Sequence, residues 1–354
     1  MNLDDFTRFN EIDPQDMLSQ IDGLPDQLGT AWEIGLDSSL PSWTGISTVL
    51  IAGMGGSAIG ADLLTAFASP IGSVPIFVHR DYDLPAWVKG SQTLVIASSH
   101  SGDTEETLSA LETALNRRCR CLVISTGGKI AQHAKSSGIP VWRFEHEGQP
   151  RAAVGYSFTL LLAVLFRLNL IPNPSRDLIG TIDALRGEQT QLMADISIAN
   201  NPAKRTAGQL LGLWVTVMGS GLLAPVARRW KGQISEIAKA WAQFEFLPEA
   251  NHNTLAGIQN PEDLLSRIMV LFLRAPSDHP RNRLRADLTR KTFMLEGLGT
   301  DFIDAQGETP MAHLWTCLHF GDYMAYYLAM AYEVNPTLVT AIENFKTEMG
   351  AEGE

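Results

Sequence analysis

Five short apolar runs, at 48–52, 74–79, 93–97, 120–125 and 139–144, alternate with helical patterns through the first half of the chain. Runs this short with little polar alternation read as strands buried on both faces, and the helical patterns among them read as crossover helices. That pattern restricts this half to a parallel sheet wound with helices, an α/β fold. A second alternating region follows, with strands expected at 213–218, 268–274 and 300–303 and helices at 224–244 and 279–296. The opening segments of the two halves echo each other, Val49-Leu-Ile-Ala-Gly-Met-Gly-Gly-Ser-Ala-Ile-Gly60 and Trp214-Val-Thr-Val-Met-Gly-Ser-Gly-Leu-Leu223. Each reads as an apolar strand, a glycine-rich turn and a helix start, so two related α/β units in tandem are expected. A helical segment at 13–36 precedes the first unit, and a helix at 155–168 closes it before the break Ile171-Pro-Asn-Pro174. Helices at 177–196 and 203–211 lead into the second unit, and an aromatic helix at 311–332 plus a last helix carrying Lys346 end the chain. Tyr323, Tyr326 and Tyr327 on the aromatic helix read as core or subunit interface. At 354 residues the chain exceeds the usual size of one hydrophobic core, and the division expected is 1–170 and 171–354.

Charge and cysteine usage narrow the partners. The formal net charge is −12 and the longest basic run is Arg228-Arg229, then Trp230-Lys231, so nucleic acid and anionic membranes are excluded as expected partners. Three cysteines, Cys119, Cys121 and Cys317, cannot all pair within the chain and read as reduced. The opening Met-Asn-Leu-Asp-Asp lacks a basic, apolar leader, which together with the cysteines gives a cytoplasmic expectation. The longest apolar stretch, 158–166, ends at Arg167 and is too short to span a bilayer.

The loop Ser98-Ser-His-Ser-Gly-Asp-Thr-Glu-Glu-Thr107 leaves a buried strand and enters a helix. Such a loop aims backbone N–H groups and the positive helix end at one spot, and Ser99, Ser101 and Thr104 add neutral donors there. Hydroxyls without a Walker lysine suit a phosphate that is held rather than transferred. The plainer alternative makes Asp103 the helix N-cap, closed by Glu106 in a capping box, with the serines as solvated turn residues. Gly53-Met-Gly-Gly-Ser-Ala58 fits the dinucleotide fingerprint, with Asp81 placed as a ribose-binding acid, which keeps a nicotinamide-dependent oxidoreductase open. Any ligand that needs close backbone approach selects the same glycines, Gly55 and Gly56 among them. Two polar turns at neighbouring strand ends fit one compact phosphorylated sugar, and Ser57 then joins the three later hydroxyls.

Further along, Pro150-Arg-Ala-Ala-Val-Gly155 sets one arginine, Arg151, in a turn before a helix. It is either a surface ion pair or a fixed positive fork for a developing oxyanion. Glu236 lies in an amphipathic stretch among Ile234, Ile237 and Ala240, where partial burial would favour a proton-accepting role. Its plain alternative is a solvated pair with Lys231 or Lys239. His252 sits in the loop Phe246-Leu-Pro-Glu-Ala-Asn-His-Asn253, neither core nor strand surface. The eight histidines show no metal-ligand spacing, so no metal site is expected.

Together these residues resemble the bifunctional phosphoglucose/phosphomannose isomerase family of the sugar isomerase (SIS) domain superfamily. The resemblance is carried, in order, by Gly53-Met-Gly-Gly-Ser57, Ser99-His-Ser-Gly-Asp-Thr-Glu-Glu-Thr107, Pro150-Arg-Ala-Ala153, Arg229-Trp-Lys231 through Glu236-Ile-Ala-Lys239, Leu247-Pro-Glu-Ala-Asn-His-Asn253 and Asn335-Pro-Thr337 through Ile342-Glu-Asn-Phe-Lys346. It implies two tandem SIS-type doubly wound parallel-sheet domains with an N-terminal helical segment and C-terminal helices, and a homodimer. It also implies interconversion of glucose 6-phosphate or mannose 6-phosphate with fructose 6-phosphate, without metal or redox cofactor. By that resemblance Ser57, Ser99, Ser101 and Thr104 hold the phosphate, and Glu236 shuttles a proton between C1 and C2 through a cis-enediol. Arg151 stabilises the enediolate oxygen, His252 assists ring opening from the partner subunit, and Lys346 closes over the sugar. Where the family loop often reads Ser-Tyr-Ser-Gly-Asn-Thr, this chain has His100 and Asp103. A non-catalytic SIS regulator is the remaining alternative, and the chain shows no basic helix-turn-helix segment that would serve it.

Overall fold

The computed structural model describes residues 2–351. Three helices open the chain: α1 (Phe6–Ile12), α2 (Met17–Asp22) and α3 (Leu24–Asp37). The first unit then runs β1 (Thr48–Ala52), α4 (Gly55–Ala68), β2 (Ile76–His79), β3 (Thr93–Ser98), α5 (Glu105–Asn116), β4 (Arg120–Ser125), α6 (Gly128–Ser136), β5 (Val141–Arg143) and α7 (Val154–Arg167). Helices α8 (Ser175–Leu192) and α9 (Pro202–Leu210) lead to β6 (Trp214–Ser220), α10 (Ala224–Glu236), β7 (Ala242–Leu247), α11 (Glu262–Leu265), β8 (Ile268–Arg274), α12 (Pro280–Leu295) and β9 (Gly299–Asp304). The chain ends with α13 (Pro310–Tyr332) and α14 (Thr340–Ala351).

Both sheets are wholly parallel, in the orders β2-β1-β3-β4-β5 and β7-β6-β8-β9. Residues of β3 are all buried, as a central parallel strand covered on both faces requires. The two orders share one plan. β1 and β6 each start a unit, take the next strand on one side and the following strand on the other. The sequence echo between the two halves therefore marks equivalent central strands. In a doubly wound sheet the crevice opens where the winding reverses, beyond the carboxyl ends of β1 and β3 in the first unit. Ala52 of β1 pairs with Ala97 of β3, so the glycine turn at 53–57 and the hydroxyl loop at 98–104 emerge side by side at that reversal.

The largest buried cluster draws on both units, joining α3, α4 and α7 of the first half to α8, α10 and α13 of the second. α13 lies at its centre, with every residue from Met311 to Met330 buried. Tyr323, Tyr326 and Tyr327 belong to this core, which settles their place on that helix. No helix among the described residues is long and apolar enough to cross a membrane. The three cysteines are unpaired, and burial pushes the Cys121 thiol up to about 12.

One expectation and one alternative need correction. The helix expected over 224–244 stops at Glu236, and residues 242–247 form strand β7 on the edge of the second sheet. The left-handed Lys239 (φ 55°) turns the chain out of the helix, and the alternation Gln243-Phe244-Glu245-Phe246 then suits an edge strand. Asp103 does not cap α5. Thr104 holds the N-cap position, and Asp103 Oδ1 accepts the N–H of Lys129 at 3.0 Å, capping α6 instead.

Candidate active site

The glycine turn is shaped by close packing. A Cβ at Gly53 would lie 2.7 Å from the Ser98 carbonyl oxygen, and one at Gly56 would lie 2.5 Å from that of Pro150. Both contacts are with backbone, so these glycines let β1 and α4 approach the hydroxyl loop and the arginine turn. That packing accounts for the fingerprint spacing without a dinucleotide. Asp81 stands outside it, its Oδ1 accepting the N–H of Tyr82 on an exposed turn.

The hydroxyl loop is internally bonded. Ser99 Oγ accepts the Gly102 N–H at 3.1 Å and lies 3.0 Å from Thr104 Oγ1, which pins two of the expected phosphate donors together. Ser101 is exposed and its Oγ accepts the Asp103 N–H at 3.3 Å. Ser57, in the first turn of α4, is buried. His100, at the tip, donates from Nε2 to His146 Nδ1 at 3.0 Å. The direction follows because His146 Nδ1 also receives the Gly148 N–H at 3.2 Å and so must be the acceptor. Burial, reinforced by the neighbouring ring, draws His100 down to about 4, so both rings are neutral at pH 7.

Arg151 and Glu236 meet where the units join. Arg151 lies in the short turn after β5, Glu236 is the last residue of α10, and Arg151 Nη1 stands 3.8 Å from Glu236 Oε2. The side chain of Arg151 is 6% exposed and that of Glu236 is 35% exposed, so a buried cation faces a carboxylate open to solvent. The arginine is fixed from several directions. It donates from Nη2 to the Pro336 and Thr337 carbonyls and from Nη1 to Gln149 Oε1. Burial lowers its affinity for a proton, with Glu236 opposing that effect. Its backbone carbonyl accepts from Arg229 Nη2 at 3.0 Å, while Arg229 is paired bidentately with the buried Asp322 of α13. Asp322 Oδ1 also accepts from Gln233 Nε2 at 2.9 Å. The plain alternative for Glu236 does not hold: Lys239 Nζ donates to the backbone carbonyls of Glu236 and Ile237, not to the carboxylate.

A cavity of ≈ 300 Å³ opens over this pair, lined by Gly55, Gly56, Arg151 and Glu236 together with Arg80, Arg228 and Lys231. Its wall is cationic in a chain of net charge −12, and Asp62 offsets only Arg80 and Arg228. An anionic small molecule is therefore the favoured occupant. Four of the expected site residues thus meet at one cavity. Ser57, Ser99, Ser101 and Thr104 gather at the adjoining strand ends but do not line it. His252 ends a short 3₁₀ turn on the exposed surface, and Lys346 lies on the exposed α14; neither lines the cavity. Among the described residues no group of three His, Cys, Asp or Glu side chains is placed to hold a metal ion.

Sequence reasoning missed Asp322, Arg229 and Arg80 as parts of the site. Asp322 had a readable signal, a lone carboxylate inside the otherwise neutral run 311–332, since an acid buried in such a helix needs a partner.

A family model for the bacterial phospho-glucose isomerase C-terminal SIS domain matches residues 199–349. A bifunctional phosphoglucose/phosphomannose isomerase of Caldicellulosiruptor bescii is 37% identical over 94% of this chain and 98% of its own. One from Aquifex aeolicus is 31% identical over 85% of this chain and 90% of its own. Among solved structures, a hypothetical protein from Thermus thermophilus matches with a TM-score of 0.75 at 18% identity, covering 97% of this chain and 92% of that one, which speaks to the fold. With tandem parallel sheets, a cationic cavity where they join and relatives that match nearly end to end, the chain belongs to the bifunctional phosphoglucose/phosphomannose isomerase family.

Proposed function

We propose that the protein interconverts glucose 6-phosphate and mannose 6-phosphate with fructose 6-phosphate by proton transfer through a cis-enediol. The observation that carries this reading is the Arg151–Glu236 pair, a solvent-open carboxylate 3.8 Å from a buried, multiply anchored guanidinium. Abstracting a proton α to a carbonyl needs a base and fixed positive charge at the oxygen that becomes an enediolate. Glu236 takes the proton from C2 of the open-chain aldose and returns it to C1, and Arg151 holds the charge that develops on oxygen. General base catalysis contributes about 10²–10⁴ of the rate, with positioning and oxyanion stabilisation adding the remainder.

The phosphate is assigned to Ser57, Ser99, Ser101 and Thr104 at the β1/β3 reversal, next to the cavity that takes the sugar. His252 and Lys346 complete the site in a homodimer, with His252 reaching a neighbouring subunit's cavity to open the sugar ring and Lys346 closing over the substrate. This reading carries the domain division 1–170 and 171–354, a cytoplasmic setting in glycolysis and gluconeogenesis, and no required metal or redox cofactor. The test is incubation of the purified protein with fructose 6-phosphate and chromatographic product analysis. Formation of both aldose phosphates supports the proposal. Binding of sugar phosphates without conversion favours a regulator, and stabilisation by NAD(H) or NADP(H) instead favours an oxidoreductase.

A further inference from the structure

Glu236 is the last residue of α10, and the end of a helix is where its carbonyls run out of partners and its backbone frays. One turn earlier α10 is firmly held, because Arg229 and Gln233 both bond to Asp322. Beyond Gln233 that anchor ends. The backbone satisfies the next carbonyls only in part: that of Gln233 accepts the Ile237 N–H, and that of Ile234 accepts those of Ala238 and Ala240. A side chain takes over from there. Lys239 Nζ donates to the Glu236 carbonyl at 2.6 Å and to that of Ile237 at 3.3 Å.

Two features show that the side chain of Lys239, and not merely its turn, matters at this place. Its left-handed conformation (φ 55°) suits glycine, which ends a helix equally well, and is disfavoured for a lysine. Arg118, Asn169 and Glu333 make the same turn after α5, α7 and α13, yet among the described residues none of their side chains donates to the helix it ends. The second feature is where the ammonium does not go. A lysine three residues from a glutamate is an ordinary ion-pair partner, but here the Glu236 carboxylate accepts no hydrogen bond among the described residues and faces Arg151 at 3.8 Å. Desolvation, and then the charge of Arg151, draws Lys239 down to about 8, with Glu236 opposing, so the three charges stand within electrostatic reach of one another.

We propose that Lys239 is a positioning residue for Glu236: its ammonium clamps the two carbonyls at the end of α10, which fixes the carboxylate beside Arg151 and leaves it free for substrate. This rests on Glu236 being the base of the isomerase reaction. Two of the three ammonium donors are committed to carbonyls, so the lysine steadies the backbone under the base without neutralising the base itself. Proton abstraction is sensitive to such placement, since a shift of about 1 Å in a reacting group can cost about 10²-fold in rate.

The test compares Lys239→Gly, Lys239→Met and Lys239→Arg in the full-length protein, by steady-state turnover of fructose 6-phosphate and by thermal melting. Lys239→Gly relieves the turn and Lys239→Met keeps it, so the glycine variant should melt above the methionine variant. Both lose the donors. Both should therefore lose kcat alike, by about 10- to 100-fold, with KM changed by less than about twofold. Lys239→Arg, which keeps a cation able to reach both carbonyls, should recover most of the turnover. Amide exchange at Ile237, Ala238 and Ala240 should quicken in Lys239→Met, a reading that needs no turnover. Unchanged kcat in the glycine and methionine variants, a kcat that follows the melting order, a rise in KM in place of the loss in kcat, or unaltered exchange overturns the proposal while leaving the isomerase reading intact. A parent protein that converts no fructose 6-phosphate overturns that reading, and the role of Lys239 with it.

Discussion

Asp322 organises the candidate site from behind. It is 4% exposed and accepts from Arg229 Nη2 at 2.7 Å, Arg229 Nε at 3.2 Å and Gln233 Nε2 at 2.9 Å. Arg229 is equally buried and carries the hydrogen bond to the Arg151 carbonyl. Asp322→Ala leaves that guanidinium uncompensated, and stranding one member of a buried pair costs about 3–5 kcal/mol. With a urea slope of about 3 kcal/mol per molar for a chain of this size, the midpoint should fall by roughly 1–1.7 M. Superimposable fluorescence and circular dichroism curves are the condition for converting midpoints into free energies. The double variant Arg229→Met/Asp322→Leu removes both charges and should regain all but about 1 kcal/mol. Its turnover should remain depressed, because nothing then holds the Arg151 carbonyl. A single variant within about 1 kcal/mol of the parent, or a double variant no more stable than the single, refutes this reasoning.

Four further outcomes follow from the same geometry. Glu236→Gln should abolish turnover while fructose 6-phosphate still binds by calorimetry, whereas retained turnover removes the assignment of the base. Arg151→Lys replaces a fork that reaches two carbonyls with a single point charge, and kcat should fall by about 10²–10³ in a coupled assay. Gly56→Ala drives a Cβ to 2.5 Å from the Pro150 carbonyl oxygen, so the melting midpoint and activity should drop together, at a cost of about 1–3 kcal/mol. His100 and the fully buried His319 are both drawn from 6.5 to about 4 by burial, so the folded state takes up their protons later than the unfolded chain does. Stability they provide is complete above pH 6.5 and drains away toward pH 4. Urea midpoints across that window should fall less steeply in His100→Phe.

The parallel sheets were legible because buried strands have few polar residues, and 93–97 against Thr93–Ser98 shows how closely that signal bounds a central strand. Edge strands are harder to find. β7 reads as helix because Ala238 through Ala242 continue a helical composition, and only the backbone turn at Lys239 ends it. The glycine turn, Arg151 and Glu236 could be singled out by residue type and neighbours, yet the approach of Gly56 to Glu236 across 180 positions, and of Arg151 to Glu236 across 85, is a matter of how α4 and α10 pack. Asp103 shows the opposite limit. The residue announced a cap, but which helix it serves depends on α6 lying beside the loop.

The central claim is that Glu236 moves a proton between C1 and C2. Its most direct test is turnover of fructose 6-phosphate in heavy water, with mass spectrometry and proton NMR of the aldose products. The account predicts solvent-derived deuterium at C2 of both glucose 6-phosphate and mannose 6-phosphate, and no products from the Glu236→Gln variant. Aldoses that stay free of deuterium after many reversible turnovers, by which point a solvent-open carboxyl has exchanged its proton, or labelled products formed equally fast by the variant, contradict it.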